Sequence, residues 1–254
     1  MSKLIDLKTS EDLKVLVYGD SGTGKTVFST SFPGPVYVAD FDGKISSAAS
    51  YWGATNKARL NEIEYDKFVP EPNTKLSHFH AFKTKLEEHS ELGKQGKFPF
   101  KTYVVDSLTL FSEAMMQEVI RANPGISRVE KTVPALQDYL IFGVHFKQFL
   151  AKILALPCNV VVTAHAEHSK DDVTGSISIR PMLSGKLSNE IPIRFAEVYH
   201  SKVVEKEGKP VFILQTKSAG KEVCRTQIPG IPQFIRSAYS ELVKQTKGET
   251  NANN

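Results

Sequence analysis

Cysteine is scarce in this chain of 254 residues, which contains only Cys158 and Cys224. The two lie far apart and match neither a zinc-ligand spacing nor a disulfide framework, so a reducing compartment is favoured over secretion. The sequence also lacks any apolar run near the ~20 residues that cross a bilayer. Its first residues have no apolar core of the kind found in signal peptides. We therefore expect a soluble, cytoplasmic protein with no membrane association.

Neither sign of charge dominates, because 32 lysines and arginines stand against 28 aspartates and glutamates, for a net charge of +4. This mildly basic balance permits binding of nucleic acid without requiring it. The length and the 41% hydrophobic content are enough for one large α/β domain with a sizeable core. We predict a single domain over residues 1–243 and a polar, disordered tail over 244–254.

The most specific pattern is GDSGTGKT, which matches the phosphate loop G-x-x-x-x-G-K-[ST]. An apolar, β-branched run at 13–18 precedes it, and residues 27–31 can begin a helix, so the context is strand, loop and helix. Glycines let the backbone N–H groups approach phosphate oxygens, and the helix dipole adds positive potential. The lysine would reach the β- and γ-phosphates and the threonine would ligate Mg²⁺. The predicted nucleoside-triphosphate site comprises Gly19, Asp20, Ser21, Gly22, Thr23, Gly24, Lys25 and Thr26.

The apolar segments predict strands that alternate with helices, which implies a mainly parallel sheet with helices on both faces. The predicted strands are 13–18, 36–39, 102–106, 159–163, 195–204 and 211–216. The last two are joined by a charged turn at 205–209 and predict an antiparallel hairpin near the carboxyl terminus. Helices are expected at 75–92, 108–122, 135–156 and 232–245, and the third is apolar enough that we expect it to be largely buried.

Three polar residues come at the carboxyl ends of predicted strands, where ligands bind in open α/β sheets. Asp106 would hold Mg²⁺ together with Thr26, although it or Ser107 could instead cap the following helix. Asp42 would orient or deprotonate the attacking water, or it is simply part of an Asp-Gly turn. His165 would sense the γ-phosphate, and a structural histidine is the alternative.

Basic residues later in the chain suggest two further roles. Lys217, Lys221 and Arg225 follow the last predicted strand, where a neighbouring subunit could place a cation against the γ-phosphate. A solvated basic loop is the favoured alternative for these three. The polar stretch at 168–186 is long for a connection without structure, and its basic residues could follow a phosphate backbone. These candidates are Lys170, Arg180 and Lys186.

The order of five segments resembles the RecA-like recombinase core, in the short form found in phages as single-strand-annealing ATPases. The segments are GDSGTGKT, VADFDGK, YVVDS, VVVTAH and SGKLSNEIPIRFAEV, spread over residues 13–225. The resemblance implies ATP and Mg²⁺ as cofactors, Asp42 as the catalytic carboxylate (more often Glu in the family) and His165 as the polar switch.

The same resemblance implies a DNA recombination and repair function, with single-stranded DNA bound by loops at 123–134 and 169–185. In the first loop the candidates are Arg128 and Lys131. It also implies a homo-oligomeric ring or filament, a single-strand-binding protein as partner, and the host cytoplasm if a phage encodes the chain. A helicase-like motor or helicase loader would share this core. A GTPase switch is disfavoured because no N/T-K-x-D element exists, and a small-molecule kinase because too few arginines are present for a lid.

Overall fold

The computed structural model describes residues 12–70, 77–170 and 175–246. Its strands are β1 Lys14–Gly19, β2 Val36–Asp40, β3 Ile63–Lys67, β4 Thr102–Asp106, β5 Asn159–Lys170, β6 Ile177–Pro181, β7 Glu197–Lys206, β8 Lys209–Gln215 and β9 Phe234–Arg236. Its α-helices are α1 Lys25–Ser29, α2 Ser46–Thr55, α3 His78–Lys94, α4 Leu108–Ala122, α5 Leu136–Leu154, α6 Leu187–Glu190 and α7 Tyr239–Thr246. Short 3₁₀ helices span Lys57–Glu62 and Pro192–Arg194.

The strands form one sheet in the order β3-β2-β4-β5-β1-β7-β8-β9, with β6 paired to the far end of β5. From β3 to β7 all neighbours are parallel, whereas β7–β8 and β8–β9 are antiparallel. The predicted mainly parallel α/β sheet with an antiparallel hairpin near the carboxyl terminus is therefore confirmed. Since the parallel strands end at one edge, their last residues lie side by side there.

Alternate residues of the central strands point to opposite faces, and each face carries its own core. One face packs against α3, α4 and α5, with Phe82, Phe111 and Phe146 fully buried among them. The other face packs against α1, α2 and α7, where Phe28 and Leu242 are fully buried. The sheet is thus covered on both sides, which explains why β1, β2 and β4 are nearly continuous apolar runs.

Helix α5 corrects the prediction that its whole length is largely buried. Its apolar buried residues recur at helical spacing from Phe142 to Ile153 and form one stripe against the sheet. On the other side Leu136, Leu140 and Val144 are 75%, 66% and 56% exposed. Apolar composition alone therefore overstated the burial, because only one stripe of a surface helix meets the core.

The segment after β8 is also different from its prediction. Residues 234–236 extend the sheet as β9 before α7 begins at Tyr239, so 232–245 is not one helix. Helix α7 runs to Thr246, three residues past the boundary predicted at 243, and residues 247–254 lie outside the described chain. The strands β3 and β6, of five residues each, were not predicted, and neither was the helix α2, of whose residues only Ala48 is buried. Among the described residues, no helix is long and apolar enough to cross a membrane.

Candidate active site

The loop between β1 and α1 has the geometry of a phosphate-binding loop. Gly22 and Gly24 have φ of +80° and +84°, a region that favours glycine. The hydroxyl of Thr23 donates to the carbonyl of Asp20 at 2.9 Å, and Ser201 on β7 donates to the carbonyl of Thr23 at 2.7 Å. These bonds hold the loop in a curled form against the sheet edge.

Lys25 lies inside this loop, with its ammonium donating to the carbonyls of Gly19 at 2.8 Å and Asp20 at 2.7 Å. Burial lowers the pKa of Lys25, while the nearby carboxylates of Asp106 and Asp42 act in the opposite direction. Buried ammonium groups gain strongly from a neighbouring anion, since little water screens them. A phosphate in the loop would meet this lysine.

Asp106 ends β4 in the middle of the sheet and is 2% exposed. Thr26 donates to its Oδ2 at 2.6 Å, and Thr163 on β5 donates to its Oδ1. Burial raises the pKa of Asp106, and the two hydroxyls partly offset that shift. The N-cap of α4 is Ser107, whose Oγ accepts from the N–H of Leu110, so the capping alternative does not apply to Asp106. A hydroxyl beside a carboxylate is an oxygen donor set that suits Mg²⁺, which Thr26 and Asp106 would hold.

Asp42 lies across the edge from the loop and is brought against His165, 123 positions later in the chain. His165 Nε2 is 3.0 Å from its Oδ2, and Ser107 donates to its Oδ1. Burial would raise the pKa of Asp42, but these hydrogen bonds outweigh it, so the pKa is lowered. The carboxylate is thus held ionised and in a fixed orientation, as a group that positions water must be.

A cavity of about 560 Å³ joins these groups and is open to solvent on one side. Two half-exposed aromatic residues form part of its wall: Tyr51 from α2, 45% exposed, and Phe212 from β8, 43% exposed. A Cβ at Gly24 would lie 3.0 Å from Phe212 Cδ1, so this ring packs directly on the phosphate loop. The full lining is Ser21, Gly22, Gly24, Lys25, Thr26, Val27, Asp42, Lys44, Ser46, Ser47, Ser50, Tyr51, Asp106, His165 and Phe212.

Sequence reasoning missed seven of these wall residues: Val27, Lys44, Ser46, Ser47, Ser50, Tyr51 and Phe212. Lys44 follows Asp42-Gly43 on the same turn, and that proximity is a signal that could have found it. Tyr51 belongs to a helix that was not predicted. Phe212 could not have been found, because only the pairing of β7 with β1 brings the hairpin beside the loop.

The candidates for a cation from a neighbouring subunit do not line this cavity. Lys217 and Lys221 lie exposed on the segment after β8. Arg225 bridges through its backbone to Val198, and its guanidinium approaches the carbonyl of Ile193 at 3.4 Å. Their role toward another copy of the chain stays a prediction.

Among the nucleic-acid candidates, Arg128 is a correction. Its side chain is 5% exposed and bonds both carboxylate oxygens of the fully buried Asp138. It also donates to the backbone carbonyls of Ile120 near the end of α4 and of Asn123 and Ile126 in the loop that follows, so it is a structural residue whose guanidinium is engaged within the fold. Arg180 donates to Asn189, and its Nε is enclosed without a partner.

The remaining three candidates are accessible. Lys131 is exposed on the loop before α5, Lys170 lies at the end of β5, and Lys186 lies next to α6. Residues 171–174, between β5 and β6, lie outside the described chain.

Comparison with known proteins agrees with this site. A family model described as an AAA domain (AAA_24) matches residues 11–227. No curated protein sequence matches the chain. Over 75% of its length it is similar in structure, at 12% identity and a TM-score of 0.50, to an ATPase from the type III secretion system of pathogenic bacteria. It spans about half of that protein (51%).

The chain is also similar, over 80% of its length and 76% of the other chain, to the KaiC-like protein PH0186 from Pyrococcus horikoshii OT3. That match has 17% identity and a TM-score of 0.41. The family match covers most of the chain and includes every residue of the cavity wall. The chain therefore belongs to the AAA domain family and is a P-loop ATPase with a RecA-like fold.

Proposed function

We propose that this ATPase hydrolyses ATP with Mg²⁺, binds single-stranded DNA and promotes annealing or pairing of DNA strands. The observation that carries the proposal is the position of His165. It is the last residue of β5 paired with β1, the next residue pairs with β6, and its imidazole contacts Asp42. One residue thus connects the sheet edge that carries Asp42 and Asp106, here called the catalytic edge, to the segment proposed to meet DNA.

The nucleotide would lie with its phosphates in the glycine loop and its base toward the aromatic wall. Tyr51 and Phe212 offer flat apolar faces, which favour a purine ring over water. Thr26 and Asp106 would hold Mg²⁺, which neutralises charge on the β- and γ-phosphates when bound. Asp42, kept ionised by its hydrogen-bond donors, would orient a water molecule and take its proton.

The DNA surface would be the antiparallel ribbon of β5 and β6, which extends beyond the edge of the parallel sheet. Lys170 at the end of β5 and Ile177 of β6 (43%) are exposed there, and Met182 (42%) and Lys186 are exposed in the segment that follows β6. Lysines contact phosphates in any sequence, and apolar side chains contact unstacked bases, which is the combination that single strands require.

The ribbon and the catalytic edge are joined by backbone bonds as well. The N–H of Met182 donates to the carbonyl of His165 at 2.8 Å, and the N–H of His165 donates to Thr109 Oγ1 at 3.0 Å. A strand of DNA that shifts β6 would therefore shift His165 and change its contact with Asp42. This predicts that DNA alters the rate of ATP hydrolysis.

The test is steady-state ATP hydrolysis with and without single-stranded DNA over a salt series. We expect stimulation that declines as salt rises, since each lysine contact releases counterions. The variant K170A/K186A should lose most of the stimulation and keep the basal rate. The matched control K57A/K97A removes the same charge from exposed lysines far from the ribbon and should behave as wild type. Equal stimulation in both variants would refute the proposed DNA surface.

Annealing needs a separate assay, because an ATPase that unwinds DNA or loads a helicase would share the stimulation. Complementary labelled oligonucleotides should pair faster with the protein, in assemblies that the resemblance predicts to be rings or filaments. A single-strand-binding protein coating the DNA is the partner to add next. Unwinding of a forked duplex without any annealing would favour the motor instead.

A further inference from the structure

Lys44 lies on a turn that the sheet holds in place. The buried carboxylate of Asp40 accepts from the backbone N–H of Lys44 at 3.2 Å and of Ile45 at 3.1 Å. Gly43, between the catalytic carboxylate and this lysine, has φ of +66°, and a Cβ there would lie 3.2 Å from Val69. The backbone that carries Lys44 is therefore fixed relative to β2.

Lys44 belongs to the wall of the nucleotide cavity. Within the described chain, Lys25 and Lys44 are the lysine or arginine residues of that wall. The wall also contains Asp42, two positions before Lys44 on the same turn, so the lysine and the carboxylate that would position water lie on the same side of the cavity.

We propose that Lys44 is a catalytic residue that stabilises, from within the same chain, the negative charge developing on the γ-phosphoryl oxygens. The inference rests on the proposed hydrolysis of ATP at this site. Water forms a bond to the γ-phosphorus while the bond to the bridging oxygen breaks, and ADP leaves with that electron pair. The proton of the water passes to Asp42. Lys44 exchanges no atom and no proton, and acts by charge alone.

Lys44 differs from the basic residues after β8, Lys217, Lys221 and Arg225, because those three do not line the cavity. Lys25 is held by two carbonyls of the glycine loop and serves the phosphates from that side. Lys44 lies on the turn that carries Asp42, after β2, which β4 and β5 separate from β1 in the sheet. The two cations would therefore approach the phosphates from different sides.

The experiment compares kcat with nucleotide affinity in K44A, K44R and the control K67A, without DNA. Lys67 ends β3 at the same sheet edge, is exposed and does not line the cavity. We expect K44A to lose about 100-fold in kcat, as for loss of one preorganised group facing a developing charge, with nucleotide Kd changed less than threefold. K44R should retain at least a tenth of wild-type kcat, and K67A should match wild type. A kcat in K44A within threefold of wild type would overturn the proposal, even if KM rises, because long-range attraction alone raises KM.

Whether Lys44 acts within its own chain is tested with two differently tagged variants, K44A and D42N, coexpressed and purified through both tags. If Lys44 acts within its own chain, every site of the mixed assembly lacks either Lys44 or Asp42. The mixed assembly should then be as inactive as either variant alone. Recovered activity would overturn the same-chain assignment. If no assembly carries both tags, the loss of kcat in K44A alone establishes it, since no neighbour is present.

These outcomes are distinct from failure of the proposed function. A wild-type chain that does not hydrolyse Mg²⁺-ATP refutes the ATP site itself. A wild-type chain that hydrolyses ATP without any response to DNA refutes the DNA role and leaves the Lys44 comparison intact, because that comparison uses no DNA.

Discussion

Replacing Asp42 by asparagine tests the proposed base with little disturbance of structure. Asparagine keeps an oxygen that can accept from Ser107, and its amide can face Nε2 of a neutral His165 tautomer. Exchange of a charged for a neutral hydrogen-bond partner costs about 1–2 kcal/mol of folding stability. The variant should therefore fold and bind nucleotide.

The expected loss is in turnover. A positioned general base contributes about 10²–10⁴-fold, which corresponds to roughly 3–5 kcal/mol of transition-state stabilisation. Because Asp42 is held ionised between two donors, its replacement removes the proton acceptor without opening the site. We expect D42N to lose at least 100-fold in kcat with nucleotide Kd within threefold of wild type.

The assay is phosphate release under saturating Mg²⁺-ATP, with Kd measured by a fluorescent nucleotide analogue. Asp66 provides the matched control, because it is an aspartate near the end of β3 that accepts a hydrogen bond, from Tyr37 at 2.8 Å, and does not line the cavity. D66N should keep kcat within about threefold. If D42N retains more than a tenth of wild-type kcat, another group positions the water and the reasoning fails.

Further predictions concern nucleotide contacts and stability. K25A should abolish ATP turnover and weaken nucleotide binding strongly, and near-normal phosphate release in it would contradict the assignment of the loop. F212A should weaken ATP binding about 5- to 100-fold, as for loss of one base-stacking contact, whereas F234A removes a similarly exposed ring from β9 and should not; equal affinities would exclude a base contact. Burial lowers the pKa of His200 from its usual 6.5 to about 4, so the unfolded chain binds more protons between these values and stability falls as pH drops through that window. H200F keeps the stacking on Tyr18, and its urea midpoint should depend less on pH between 6.5 and 4; identical pH profiles would refute this cause.

The parts of the fold that could be predicted from the sequence are those fixed by local pattern. Strand β4 and helix α4 have the predicted bounds, because an apolar run ends abruptly at an acidic residue and Asn123-Pro124-Gly125 stops the helix. The glycine loop was found for the same reason, since its residues are contiguous. Strand β3, with three charged residues among its five, has no local signal, and only its pairing with β2 makes it a strand.

Long-range contacts set the limit for the site. The predicted strand ends indicated that Asp42, Asp106 and His165 lie at one edge of the sheet, because parallel strands run in the same direction. The pairing of Asp42 with His165 depends on the register of β5 against β1, which no local pattern encodes. Arg128 was misjudged for the same reason: its partner Asp138 is visible only once the loop before α5 is folded.

The position of His165 also bears on how a polar switch could work in this chain. Its backbone is bonded on one side to Thr109 of α4 and on the other to Met182 next to β6, so it cannot move without moving the ribbon. Its imidazole shares Asp42 with Ser107, which caps α4. A displacement of the ribbon that lengthened the contact from His165 would leave Asp42 with one donor and free one carboxylate oxygen for water. Stimulation by DNA then requires this contact, and H165A should have an altered basal rate that no longer responds to DNA.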